Sequence, residues 1–99
     1  MSGATNRLVL LASLAEVEPL RYTPAGLPAL NCWLDHESEL SEAGNPRQVK
    51  VHLKSVAYGD IAERLARLAM GRLWYFKGFL ATPHRARYVV FHIQDFSKD

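Results

Sequence analysis

The side chains able to do covalent or metal chemistry in this 99-residue chain are four histidines (His36, His52, His84 and His92), a single cysteine and the carboxylates between 35 and 42. Metal-assisted hydrolysis asks for paired histidines at helical spacing, whereas "DHE" at 35–37 holds one histidine between two acids. Nucleophilic catalysis asks for a serine or cysteine presented beside a base, and Cys32, between Asn31 and Trp33, belongs to no such motif. Glycine-rich phosphate loops are absent from the sequence. One cysteine excludes an intrachain disulfide and fits a reducing compartment. These residues predict no enzyme, no metal and no cofactor.

A different chemistry is in reach: aromatic rings beside positive charge. Unstacked nucleobases offer apolar faces and phosphates need cations, and each stacked base contributes about 1–3 kcal/mol. In "ALNCWLD", alternation puts Leu30, Cys32 and Leu34 on one face and Asn31, Trp33 and Asp35 on the other. "RQVKVHLKSV" alternates more cleanly, with Val49, Val51 and Leu53 inward and Lys50, His52 and Lys54 outward. The net charge of +2 hides a segregation. Asp35, Glu37, Glu39 and Glu42 form an acidic stretch, while residues 47–87 hold nine Lys/Arg against Asp60 and Glu63, a local +7.

The elements that would position these groups follow from pattern. "RLVLLASLAEV" predicts a first strand ending near Glu18 at the Pro- and Gly-rich "EPLRYTPAGLP". The second strand is "ALNCWLD", "HESELSEAGNP" a polar acidic loop, and "RQVKVHLKSV" the third strand. "GDIAERLARLAMG" shifts to helical period through Ile61, Leu65 and Leu68, predicting a helix of about three turns. Asp60 and Glu63 suggest a capping box, Glu63 and Arg67 an i,i+4 pair, and Gly71 the stop. "GRLWYFKGFL" predicts a fourth strand with Trp74 and Phe76 in the core. Its other face, Leu73, Tyr75 and Phe79, is either a subunit interface or a stacking platform, the interface being favoured. "ATPHRAR" is a basic turn, and "YVVFHIQDF" a fifth strand with Val89, Phe91 and Ile93 inward.

Five strands with a helix between the third and fourth is the order of an all-β OB-fold, a five-stranded Greek-key barrel, here one domain over 1–99. On that barrel the predicted nucleic-acid interface is Arg21, Trp33, Arg47, Lys50, His52, Lys54, His84, Arg85 and Arg87. Alternating charge is ordinarily a solvated strand face, and Trp33 has an alternative under a loop or at a dimer contact. Convergence of these cations on the elements around one barrel face favours binding. Arg64 and Arg67 on the helix are assigned to solvent, and His36 and His92 to surface or hydrogen-bonded positions. The polar start at 1–6 and the short apolar run at 8–12 predict a soluble, unexported, cytoplasmic protein.

The stretch "NRLVLLASLAEVEPLRYTPAGLPALNCWL", notably Pro19, Arg21, Tyr22, Thr23, Pro24 and Gly26, resembles the opening of bacterial single-stranded DNA-binding proteins. "EAGNPRQV", the helix and "GRLWYFKGFL" are more similar to the primosomal replication protein N family, a shorter relative, over about residues 6–96. The general binders carry a disordered, acidic-tipped extension that recruits partners, whereas this sequence reaches "DFSKD" just after its fifth strand. The resemblance implies a non-catalytic OB-fold homodimer that binds single-stranded DNA and assists primosomal helicase protein A, with DnaT where present, in restarting stalled forks. It implies DNA contacts from the loop of Arg21, from the third strand near Arg47 and Lys50, and from the turn of His84, Arg85 and Arg87. Some family members carry aromatics where this chain has Asn45 and Lys50, and their last turn is longer and richer in lysine than "TPHRAR". Both departures imply weaker DNA binding and a larger share for helicase contact. With about four phosphates neutralised per protomer, the log-log salt slope would be near −3. An adaptor acting on an acidic protein surface and an RNA-binding OB domain remain the alternatives.

Overall fold

The computed structural model describes residues 3–99, so Met1 and Ser2, which open the polar start and the 1–99 domain, lie outside the described residues. Six strands and one helix follow in order: β1 (Leu8–Val17), β2 (Arg21–Tyr22), β3 (Pro28–Glu42), β4 (Asn45–Tyr58), α1 (Asp60–Ala66), β5 (Trp74–Ala81) and β6 (Val90–Lys98). The two-residue β2 lies within the expected first loop and pairs with the start of β3, so the expected third and fourth strands are β4 and β5.

The strands join in the order β1-β5-β6-β4-β3, and β1 returns to pair with β3, which closes a five-stranded barrel with β2 on its edge. The helix bridges β4 and β5, and β4 meets β6 in parallel at Ser55–Phe91 and Val56–His92. This is the predicted OB-fold. Its interior is filled by one residue in two from each strand: Leu14, Leu30, Leu34, Phe76, Phe91 and, from α1, Leu65 are fully buried. Trp74, expected in the core with Phe76, is half-buried and meets Phe96 edge-on at 5.4 Å. Cys32 is also inside, and burial pushes its thiol pKa up to about 12, leaving it an inert core residue.

Several expectations need correction. The acidic stretch "HESELSEAGNP" is not a loop: β3 runs through it to Glu42, turns at Ala43 and Gly44 (φ 53° and 78°), and returns as β4. A two-residue turn with both φ angles positive matches the twist of the paired strands, so the chain extends a long hairpin arm beyond the barrel. The helix spans seven residues rather than three full turns. Arg67 and Leu68 already bond back three residues, to Arg64 and Leu65, and Gly71 N–H reaches the Leu14 carbonyl on β1, so the chain leaves helical geometry to return to the barrel.

The capping box does not form, because Gly59, with φ 83°, holds the N-cap position and Asp60 is already inside the helix. Gly71, with φ 84°, accordingly steers the approach to β5 instead of capping α1. Glu63 and Arg67 make no ion pair among the described residues. Arg64, assigned to solvent by sequence, lies over the Phe96 ring at 4.8 Å and within 4.0 Å of Asp95. Finally, Val89 is 48% exposed; β6 begins one residue later, and Val90 takes the inward position.

Candidate nucleic-acid interface

Because directly opposed residues share a face, the outer side of the β3–β4 pair is a ladder of Ala29–Tyr58, Asn31–Val56, Trp33–Lys54, Asp35–His52 and Glu37–Lys50. The pairing continues across the barrel: Val56 is opposite His92 on β6, and His92 opposite Phe79 on β5. A row from Asn31 through Val56 and His92 to Phe79 therefore crosses four strands. No local stretch of sequence displays that row, since it depends on register between distant strands.

Trp33 sits where its parity predicted. Its ring lies flat against the His52 imidazole, with centroids 4.5 Å apart and planes 5° apart. His52 Nδ1–H donates to Asp35 Oδ1 at 2.5 Å, which fixes the imidazole in that stack. Next to it Lys54 places its ammonium 5.3 Å from the centroid of the Tyr88 ring, and Tyr88 and Val89, between the basic turn and β6, wall this part of the groove. Beyond Tyr88 the groove continues over Asn31, Val56, Tyr58 and His92. Its far end holds a second near-parallel stack, Phe79 on His92 at 4.7 Å and 13°, with Tyr58 tilted beside it at 6.1 Å. Partial burial lowers the His92 pKa, so the neutral imidazole prevails here.

The other predicted cations divide into two groups. Along the arm, each is matched to an acid of β3: Lys50 Nζ is 3.5 Å from Glu37, Arg47 is bridged to Glu42, and His52 is held by Asp35. The charge segregation seen along the sequence is thus undone in space by an antiparallel fold-back. By contrast Lys54, and His84, Arg85 and Arg87 of the exposed turn, have no ion-pair partner among the described residues. Arg85 takes φ 63°, and the Ala86 N–H bonds the Pro83 carbonyl to shape the turn that carries them. Arg21, on β2, falls at the end of the cross-strand row that runs through Ala29 to Tyr58.

Sequence reasoning missed Tyr58, Tyr88 and Val89 as groove residues and treated His92 as an isolated histidine. Tyr58 keeps the outward parity of Lys54 but lies two residues past the expected third strand, and Tyr88 precedes β6; the signal was an aromatic at each strand boundary. Of the residues expected at a subunit interface, Leu73 and Tyr75 are exposed near Leu11, which pairs with Tyr75. Phe79 faces the groove through His92, about 13 Å further along the strand. His36 is clipped rather than free: its Nδ1–H donates to the Leu11 carbonyl at 2.6 Å and its Nε2 accepts from the Ser38 hydroxyl at 2.9 Å, anchoring the base of the arm to β1. Among the described residues no group of three or more His, Cys, Asp or Glu could hold a metal ion.

A closed barrel with an aromatic and cationic groove across β3, β4 and β6 is the form of an oligonucleotide-binding OB-fold. A family model described as another single-strand binding protein family matches residues 6–95. Replication restart protein PriB of Bordetella pertussis is 46% identical over 80 residues, 81% of this chain and 75% of that protein. A solved PriB structure from Ralstonia solanacearum superposes with a TM-score of 0.86 at 42% identity, covering 96% of this chain and 98% of that one. The single-stranded DNA binding protein of Thermus aquaticus shares the fold at 23% identity, with a TM-score of 0.74 over 94% of this chain and 49% of its own. The chain belongs to the replication restart protein PriB family, within the single-strand binding proteins.

Proposed function

We propose that this protein is a non-catalytic accessory factor of replication restart that binds single-stranded DNA in the groove between Trp33 and Phe79. The observation that carries this reading is a groove lined by Trp33, Lys54, Tyr58 and Tyr88 with no Asp or Glu in its wall. Stacking surfaces with unneutralised cations suit a strand whose bases are open and whose phosphates are charged. His84, Arg85 and Arg87 extend the positive field beside it. We further propose that the protein works as a homodimer through the exposed strip of Leu73 and Tyr75, in the cytoplasm, and that it links the strand to the restart helicase, primosomal helicase protein A, with DnaT as an additional partner. Among the described residues no helix is long and apolar enough to cross a membrane.

A second reading is favoured by one observation, the pairing of Arg47 and Lys50 with Glu42 and Glu37. With those cations neutralised, an adaptor that chiefly contacts the helicase and holds DNA weakly becomes the competing account. Fluorescence anisotropy of a labelled oligo-dT about 30 nucleotides long, with a duplex control, separates the two. The expected result is saturable, salt-sensitive binding that prefers the single strand and weakens about tenfold in Trp33→Ala and in Lys54→Ala. Absence of binding at low salt, with helicase contact retained, would replace the first reading with the second.

A further inference from the structure

Asn31 lies on the outward face of β3, two residues from Trp33 and directly opposite Val56, whose neighbour across the next seam is His92. Its side-chain amide is half-buried and makes no hydrogen bond among the described residues. We propose that Asn31 is a specificity-determining residue of the groove, its amide hydrogen-bonding the open pairing edge of one nucleobase. The inference rests on the reading that single-stranded DNA lies in this groove. It adds a polar contact to the base itself, which neither stacking nor charge supplies.

Three observations carry it. The first is the missing partner: an amide holds two donors and an acceptor, and leaving them unmade in a half-buried place costs free energy that a bound ligand recovers. Among the described residues the one side-chain polar atom both sealed from solvent and unpartnered is Trp74 Nε1, so the Asn31 amide opens onto the groove instead of the core. The second is its surroundings. The floor around it is alkyl, from Val56, Ala81 and Val90, with Tyr58 and Tyr88 at the sides. A phosphate gains little over such a floor, whereas a base has two apolar faces and keeps its polar atoms at its rim. The third is that the neighbouring outward groups are already engaged. Trp33 is stacked on His52, Asp35 holds that imidazole, and Lys54 opposite Trp33 supplies the cation. Asn31 stands about 6.6 Å from Trp33 along the strand, so a base resting near that ring has its edge within reach of the amide.

The contact tolerates any sequence. Every base sets a donor beside an acceptor on its pairing edge, N3–H beside O4 in thymine and N4–H beside N3 in cytosine, and an amide that turns over by half a turn meets either order. A base already paired has no such edge to give. The site therefore separates open bases from paired ones without separating one base from another.

The test compares an oligo-dT of about ten nucleotides with a strand of the same length in which difluorotoluene, a ring of thymine's shape without its donor and acceptors, replaces every base. Binding is read by fluorescence anisotropy on the intact protein. Asn31→Leu, close to asparagine in size, is expected to weaken oligo-dT binding about three- to tenfold and to leave binding of the difluorotoluene strand unchanged. An equal loss on both strands overturns the proposal, because the amide would then touch the sugar-phosphate backbone or merely shape the groove. Unchanged affinity for oligo-dT in the folded variant overturns it as well. Should the variant unfold, the side-chain amide signals of Asn31 in the native protein decide by NMR. A downfield shift with oligo-dT that the difluorotoluene strand does not produce supports the contact, and equal shifts with both overturn it. If the native protein binds no oligo-dT of this length or of 30 nucleotides, the groove reading itself fails, a result distinct from binding that depends on Trp33 and ignores Asn31.

Discussion

His92 stacks on Phe79 beside Tyr58, and that partial burial lowers its pKa below the usual 6.5. Above pH ~6.5 the ring is neutral in folded and unfolded chains alike, so its contribution to stability is fully present. As pH falls through ~6.5 toward the lower folded value, the unfolded chain takes up the proton first and stability is lost. Melting curves at pH 7.5 and 5.5 are therefore expected to show a smaller acid-induced drop in His92→Gln than in the native protein. An equal drop would place the acid sensitivity in other groups. At this scale, Trp33 and Lys54 were legible because strand alternation fixes a face with two or three neighbours. His92, Tyr58 and Phe79 were not: they come from three strands, and their meeting depends on the Val56–His92 and His92–Phe79 registers.

Among the elements, β5 has no room for a side chain against β6 at Gly78. A Cβ there would stand 1.8 Å from the His92 carbonyl oxygen and 3.1 Å from the Phe91 ring, at the point where the pairing slips one residue between Lys77 and Gly78. The clash is with backbone, so no rotamer relieves it. Gly78→Ala is expected to cost about 3 kcal/mol or more, measured by urea unfolding, with loss of the His92 stack. A near-neutral effect would mean that the bulge can widen. The elements themselves were legible where one face is buried, which covers the barrel strands. The β3 leg of the arm was not, because "HESELSE" is polar and acidic and lacks apolar alternation, and the "AG" turn lacks the Asn-Gly signal that marks such turns. The helix was overestimated for a related reason: Leu68 keeps helical spacing and is half-buried, but it does so in a tightened turn.

For the whole molecule, the decisive fact is how charge is redistributed on folding. A basic half and an acidic stretch become a self-neutralised arm, leaving Lys54, Arg85 and Arg87 beside the groove. Three phosphate contacts per protomer give a log-log salt slope of about −2 for a single strand, shallower than the −3 read from the sequence. Freeing Lys50 and Arg47 with Glu37→Gln and Glu42→Gln is expected to steepen the slope to about −3.5 in anisotropy titrations. An unchanged slope would mean the arm does not meet the strand. The parallel rungs Ser55–Phe91 and Val56–His92 join strands β4 and β6 beneath the groove, so a pairing on which the shut barrel depends is also the surface on which a strand would lie. A ligand that straddles this seam and recognises only the shut form raises stability by RT ln(1 + [L]/Kd), so occupancy and foldedness become one equilibrium. A cell with exposed single strands would then hold a sturdier population of this protein than a cell without them.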